Sequence, residues 1–310
     1  MSTRILITGA NGFLGGSLFR YLKQNDPQAK VLGLSRRKSK FPSKDLIQCD
    51  ATDVPALRNV LSDLKPGYIF HCAGGRTADV QQLMDLNIMT TRSLFEALND
   101  LKDARPRVIL PGTAAEYGLI DAKVRIVDEK TTPRPTSWYG LTKYSQTLLG
   151  LMYAQKGADV VLARIFNICG YGMPETLALG KFAKQIAAIE EGKQEAAIQT
   201  GNLSGRRDFL DVEDVCAALM LLAEKGKAGE VYNVASGKFY RIRDLLKKMI
   251  RYSAVPKIVV REDKAASAES HDIAGRNSKL KGCTAWQPKT TIDQSLKNTL
   301  AFYREDGFVS

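Results

Sequence analysis

A phenol and an ammonium stand four residues apart in Tyr139-Gly140-Leu141-Thr142-Lys143, which is one turn of a helix. A free phenol has a pKa near ~10, and bringing it to neutrality takes about 4 kcal/mol of differential stabilisation of the phenolate. A neighbouring cation acts in that direction, so such a pair can pass a proton to or from an oxygen of a bound molecule. The bland alternative is an exposed polar pair on a helix surface. Near the start of the chain, an apolar run at residues 5–8 leads into Gly9, Gly12 and Gly15 at three-residue intervals. Gly9 allows a tight turn, Gly12 lets a pyrophosphate approach the backbone, and Gly15 lets the following helix close on the sheet. The helix N-terminus then offers free N–H groups and the positive end of its dipole. A glycine-rich turn without a ligand is the competing reading, and the downstream Tyr/Lys pair weighs against it. A phosphate cradle with a proton-transfer pair points to redox chemistry on a dinucleotide.

The end of the second strand discriminates between dinucleotides. A carboxylate there bonds the ribose hydroxyls of NAD, whereas an arginine accommodates a 2′-phosphate. This chain reads Leu34-Ser35-Arg36-Arg37-Lys38, with no acid. NADP(H) is therefore expected over NAD(H), the alternative being a solvated basic loop. Asp50 is placed to reach the adenine edge or to cap the next segment. The expected cofactor contacts are Gly9, Asn11, Gly12, Phe13, Leu14, Gly15, Ser35, Arg36, Arg37, Asp50, Ala51, Ala73, Gly74, Tyr139, Lys143 and Ile165.

These residues need a scaffold of alternating strands and helices. Strands are expected at 4–8, 30–35, 45–49, 68–72, 107–111 and 159–165, with helices near 12–25, 53–64, 79–102 and 137–156. Near-continuous apolar strands separated by helices imply an α/β fold with a doubly wound parallel sheet of Rossmann type, covered on both faces. Ligands of such a sheet sit at the carboxyl ends of its strands. Beyond residue 166 the alternation weakens, with helices near 176–192, 211–222, 241–252 and 292–304 and strands at 230–234 and 257–261. The expected division is a dinucleotide-binding domain over 1–166, to which 208–234 returns. Residues 167–207 and 235–310 would form a smaller interleaved C-terminal lobe that binds substrate.

With 310 residues, 44% of them hydrophobic and 25% charged, the composition is that of a globular protein with a sizeable core. No run approaches the length needed to cross a bilayer, and the N-terminal residues enter the first strand without a targeting segment. The five cysteines form no C-x-x-C pair, so neither a zinc site nor a disulfide framework is expected, and a cytoplasmic location is. The net charge of +12 could serve polyanionic ligands. No nucleic-acid motif accompanies it, so neither nucleic acid nor membrane is expected as a partner.

Taken together, Gly9/Gly12/Gly15, Tyr139-x-x-x-Lys143 and Thr113-Ala114-Ala115-Glu116-Tyr117-Gly118 resemble the extended short-chain dehydrogenase/reductase superfamily along essentially the whole chain. The resemblance implies that Tyr139 donates or accepts the proton, that Lys143 lowers its pKa and holds the nicotinamide ribose, and that Thr113 bonds the substrate oxygen. The superfamily's sugar-nucleotide dehydratases follow the Thr with an acid/base pair. Ala114 and Ala115 stand there in this chain, and Glu116, one position late, is expected to point elsewhere. Methyl groups cannot shuttle protons, so dehydration is disfavoured. Keto-sugar reduction or epimerisation remains.

Phe182-Ala183-Lys184-Gln185-Ile186, Thr200-Gly201-Asn202-Leu203 with Arg207-Asp208-Phe209, and Gly229-Glu230-Val231-Tyr232-Asn233 resemble the GDP-mannose dehydratase and GDP-4-keto-6-deoxy-mannose reductase branch. The implied activity is NADPH-dependent reduction of a GDP-linked 4-keto-6-deoxy sugar to a GDP-6-deoxyhexose of the GDP-rhamnose type. By the same resemblance Asn167 and Arg207 would contact the substrate diphosphate, Lys184 would lie near the nucleotide, and Thr113 and Ala114 would face the sugar. Arg206 is either a neighbour of the diphosphate or a structural salt bridge. One departure is Ala266-Ser267-Ala268-Glu269, where the branch carries an Arg that contacts the nucleotide; Lys264 could replace only its charge. His71 is expected to pack beside the cofactor, and His271 to serve surface or structure. An NAD-dependent sugar-nucleotide epimerase and a non-enzymatic dinucleotide sensor are the alternatives. The superfamily suggests a homodimer built on the helices near 79–102 and 137–156.

Overall fold

A computed structural model describes residues 3–37, 44–99, 101, 105–121, 126–263 and 272–305. Seven strands form one parallel sheet: β1 (Arg4–Thr8), β2 (Lys30–Ser35), β3 (Leu46–Gln48), β4 (Tyr68–His71), β5 (Arg107–Thr113), β6 (Val160–Ile165) and β7 (Val231–Val234). Their spatial order is β3-β2-β1-β4-β5-β6-β7. The chain reverses direction across the sheet between β1 and β4, so the crevice at their carboxyl ends is a topological switch point, where ligands of open α/β sheets bind.

Alternation along each strand divides the same segments between two apolar layers. Ile5, Ile7, Phe70, Ile109 and Val161 pack with Leu18, Leu22, Val215 and Leu219, which come from helices Phe13–Asn25 and Val212–Lys225. Leu6, Ile69, Val108, Leu110 and Leu162 pack with Leu57, Leu61, Leu94 and Phe95 from helices Val54–Leu64 and Thr90–Asn99 on the other face. A third layer joins helices Ala178–Glu190, Ile242–Arg251 and Ile292–Glu305 through Phe182, Ile186, Leu246, Met249, Leu296 and Leu300. It also takes in a parallel pair of strands, Ala197–Thr200 and Val259–Glu262.

Two departures from the sequence reading bear on the site. β5 runs on through Gly112 to Thr113, two residues past the expected end at 111, so Thr113 is the last residue of a central strand. The segment expected as one helix over 79–102 is interrupted by a wide π turn at Asp85–Met89, between Val80–Met84 and Thr90–Asn99. The buried Asn87 within that turn accepts from the Gly75 N–H and donates to the Gly75 carbonyl and to the Thr142 hydroxyl, at 3.0, 3.1 and 3.0 Å. Such π turns in helices commonly re-aim a functional side chain. Pairs such as Arg206–Arg207 with Tyr240–Arg241, and Asn167–Cys169 with Phe209–Asp211, are too short to leave a periodic trace in sequence.

Candidate active site

The glycine turn joins β1 to helix Phe13–Asn25. Gly9 has φ +68°, and a Cβ there would lie 2.6 Å from the Cys72 carbonyl oxygen. A Cβ on Gly15 would come 2.3 Å from the Gly9 carbonyl oxygen. Both positions exclude side chains because backbone passes backbone. Gly12 caps the helix with extended dihedrals and no side-chain hydrogen bond. The first-turn N–H groups of Phe13, Leu14 and Gly15 thus have no capping side chain to compete with an anion.

Around this turn the strand ends are tied together. The Thr8 hydroxyl lies 3.0 Å from His71 Nδ1 and accepts from the Ala73 N–H at 3.0 Å. Asn87 holds the next peptide, at Gly75, so the Ala73–Gly74 loop is fixed from two sides. Asn11 donates to the Arg37 carbonyl at 3.1 Å and Gln48 to that of Arg36 at 3.3 Å. Both arginine side chains are exposed beyond Ser35. No carboxylate pairs with either of them among the described residues, and Lys38 lies outside those residues. Asp50 beyond β3 accepts from the backbone and hydroxyl of Thr52, at 2.9 and 2.8 Å, through one oxygen. That oxygen caps a turn; Ala51 follows it, half-buried. These features fit a dinucleotide carrying a 2′-phosphate: an uncapped helix start for the pyrophosphate, and two exposed guanidinium groups at the end of β2.

Across the switch point, helix Trp138–Gln155 begins with Ser137 accepting from the Gly140 N–H at 3.1 Å. This start places Tyr139 in the first turn, with its phenol beside the Thr113 side chain. Burial raises the phenol above its ordinary range, opposed by the Thr113 side chain and by the positive charge of Arg76. Lys143, one turn on, is buried and donates to the Pro111 carbonyl at 2.6 Å and to the Gln146 side chain. Burial lowers its ammonium to about 8, with Glu116 and Cys72 acting the other way. Lys143 faces the strand end and the Gly74 loop, and Arg76, whose guanidinium carbon stands 5.8 Å from the Tyr139 ring centre, is a cation that favours the phenolate. Ile165, the last residue of β6, lies buried beside Thr113 in the sheet register.

Glu116 turns back beneath the site. It is fully buried, and its two oxygens accept from the Thr113 N–H, the Thr147 hydroxyl and Arg164 Nε at 2.8, 3.0 and 2.9 Å. With those contacts made it has no role as an acid or base toward a sugar, and Ala114 and Ala115 have no proton to give. His71 is buried and held neutral, its pKa pushed down to about 3 by burial and by the Lys143 charge. The Cys72 thiol is pushed up to about 12 by burial and is no nucleophile.

The residues expected to meet substrate come from several elements. Asn167 donates one side-chain N–H to the Asp208 carbonyl at 2.9 Å, which leaves its oxygen and its second N–H for a ligand. Arg206 forms a 2.7 Å ion pair with Asp272, the structural salt bridge. Arg207, half-buried, donates to the Arg206 carbonyl at 2.8 Å and has no carboxylate pair among the described residues. Lys184 is ion-paired with Glu175 in an exposed position, and must exchange that partner to meet a nucleotide. Residues 264–271, which carry Lys264, Ala266, Ser267, Ala268, Glu269 and His271, lie outside the described residues. Thr8, Arg76, Asn87, Glu116, Thr147 and Arg164 belong to the site's framework yet leave no signal of their own in a single sequence. Only the polar types of Thr8 and Asn87 within apolar elements hint at them.

Comparison with known proteins agrees with this geometry. GDP-6-deoxy-D-mannose reductase of Pseudomonas aeruginosa is 29% identical over 97% of each chain. GDP-6-deoxy-D-talose 4-dehydrogenase of Aggregatibacter actinomycetemcomitans is 26% identical over 81% of this chain and 80% of its own. The structure of RMD from Pseudomonas aeruginosa complexed with NADPH superposes with a TM-score of 0.86 at 27% identity, covering 98% of this chain and 99% of that one. The model of the NAD dependent epimerase/dehydratase family matches residues 5–235. With the glycine turn, the switch point and the Tyr139–Lys143 helix all inside that span, the chain belongs to the NAD dependent epimerase/dehydratase family.

Proposed function

We propose that the protein is an NADPH-dependent reductase acting on the 4-keto group of a nucleotide-linked 6-deoxy sugar, GDP-4-keto-6-deoxy-mannose, to give a GDP-6-deoxyhexose of the GDP-rhamnose type. The observation that carries this reading is the placement of the Tyr139 phenol beside the Thr113 side chain at the carboxyl end of β5, followed by two alanines where elimination would need an acid and a base. The relatives named for GDP-deoxyhexose chemistry support the substrate class.

Bound NADPH supplies the hydride. The first turn of helix Phe13–Asn25 would hold its pyrophosphate, Arg36 and Arg37 its 2′-phosphate, and Lys143 its nicotinamide ribose. The Thr113 hydroxyl orients the keto oxygen, and Tyr139 delivers its proton to that oxygen as the carbon is reduced. The diphosphate of the substrate would lie against Arg207, whose planar fork binds two oxygens at once, with Asn167 and Lys184 beside it.

Two further features belong to this reading. Trp138, Leu141, Leu148 and Met152 form an exposed apolar stripe on the outer face of the Tyr139 helix. A stripe of this kind supports a homodimer built across that helix. The described cysteines are all free and none of the described helices can cross a membrane, which supports a cytoplasmic enzyme.

The test is purified protein with NADPH and GDP-4-keto-6-deoxy-mannose, followed by loss of NADPH absorbance and by product mass. Turnover that disappears in Tyr139→Phe is expected. Absence of turnover, or NAD retained through purification with C4 epimerisation and no added cofactor, would refute it.

A further inference from the structure

Below Thr113, one carboxylate bonds three elements of the chain. Glu116 Oε1 accepts from the Thr113 N–H at 2.8 Å, at the end of β5. Oε2 accepts from Thr147 Oγ1 at 3.0 Å on the Tyr139 helix and from Arg164 Nε at 2.9 Å on β6. Tyr139, Lys143 and Thr147 follow one another at four-residue intervals, so all three lie along one side of that helix. The carboxylate is therefore bonded to the backbone of one reacting residue and to the helix that carries the other two.

The surrounding sequence is arranged to admit this carboxylate. A Cβ on Gly112 would come 2.3 Å from Glu116 Oε1, so the glycine before Thr113 leaves the space into which Glu116 folds back. A Cβ on Gly140 would come 2.5 Å from the Ala115 carbonyl oxygen, so a second glycine lets the helix close on the same turn. Arg164, 4% exposed, is itself held, with its guanidinium carbon 4.5 Å from the Tyr117 ring centre. The Tyr117 hydroxyl in turn donates to Asn233 Oδ1 at 2.8 Å. A fully buried carboxylate is costly unless every oxygen is bonded, and here each one is.

We propose that Glu116 is a positioning residue, which sets the register of Thr113 against Tyr139 by tying the end of β5 to the Tyr139–Lys143–Thr147 face of the helix. This inference rests on the reductase reading for its kinetic readout but not for its spectroscopic one. Because reacting groups displaced by about 1 Å can lose on the order of 100-fold in rate, a clamp at this point acts on kcat rather than on binding.

Two variants separate positioning from bulk. Thr147→Val removes only the hydroxyl that joins the carboxylate to the helix. Glu116→Gln keeps the shape and the acceptor for Thr113 but removes the charge. Both are expected to bind NADPH within about two-fold of the parent while kcat falls by about ten-fold or more. The groups that act on the Tyr139 phenol are Arg76 from the loop after β4 and Glu116 and Thr113 from the end of β5, while Lys143 on its own helix donates to the Pro111 carbonyl. Removing the Glu116 charge while Arg164 stays positive lets the phenol ionise more easily. The tyrosinate difference spectrum of NADP+-bound protein, with Tyr139→Phe subtracted, should therefore move to lower pH in Glu116→Gln and stay in place in Thr147→Val. If the parent reduces no keto sugar, the reductase reading fails, and the spectrum still decides the role of Glu116. Folded variants with the parent's kcat, or a Glu116→Gln protein whose Tyr139 titration does not move, would overturn the proposal.

Discussion

Arg76 holds its guanidinium carbon 5.8 Å from the centre of the Tyr139 ring, and the same charge favours ionisation of that phenol. Replacing Arg76 with Ala removes a cation that stabilises the phenolate, so the Tyr139 pKa rises. In the direction of reduction the protonated phenol is the active form. The alkaline limb of the kcat profile should therefore move to higher pH in Arg76→Ala. The reverse reaction, which needs the phenolate, should slow at neutral pH. Rate profiles measured in both directions check both signs, and a limb that moves to lower pH would contradict them.

Arg36 and Arg37 stand exposed at the end of β2 without carboxylate partners among the described residues. Hydrogen bonds to a charged group contribute about 1.5–3 kcal/mol each. The double replacement Arg36→Ala/Arg37→Ala should thus weaken NADPH by about ten-fold or more and leave NADH within about two-fold. Fluorescence titration of each nucleotide reads this directly, and the NADPH difference should shrink with added salt.

His71 is buried with its pKa lowered from 6.5 to about 3. A depressed folded-state value means that the unfolded chain binds the extra proton first. The stabilising contribution is therefore fully present above pH 6.5 and is lost as pH falls toward 3, at a slope of about 1.4 kcal/mol per pH unit across that window. His71→Gln keeps a polar partner for Thr8 and cannot titrate. Urea unfolding at pH 7 and at pH 4.5 should show a smaller acid loss in the variant than in the parent.

The stripe of Trp138, Leu141, Leu148 and Met152 leaves side chains 53, 42, 48 and 38% exposed on one helix. A charge placed at its middle by Leu148→Asp should convert a dimer into a monomer in sedimentation velocity. Because Tyr139 lies on the same helix, kcat should fall together with the mass. A parent that sediments as a monomer would exclude this interface.

Much of the scaffold can be read from the residues in order. The apolar runs that become β1, β2, β4, β5 and β6 lie within a residue or two of their observed bounds. Buried parallel strands are hydrophobic on both faces, which leaves a strong local trace. The strands of two and three residues, such as Arg206–Arg207 and Asn167–Cys169, leave none. The π turn at Asp85–Met89 is equally silent, because Asn87 is drawn inward by groups at Gly75 and Thr142 that are distant in sequence.

At the candidate site the same boundary holds. Glycine spacing, the Tyr139-x-x-x-Lys143 interval and the basic end of β2 are local patterns, so the sequence by itself determined a dinucleotide fold, a proton-transfer pair and a preference for a phosphate-bearing cofactor. The partners of those groups are not local. Tertiary structure alone decided that Lys143 bonds the Pro111 carbonyl, that Arg76 stands beside the phenol ring, and that Glu116 is locked between Thr113, Thr147 and Arg164. The reason is physical: hydrogen bonds and charges act over a few ångströms of space, and residues 76, 116, 139 and 164 become neighbours only when the strands that carry them are laid side by side.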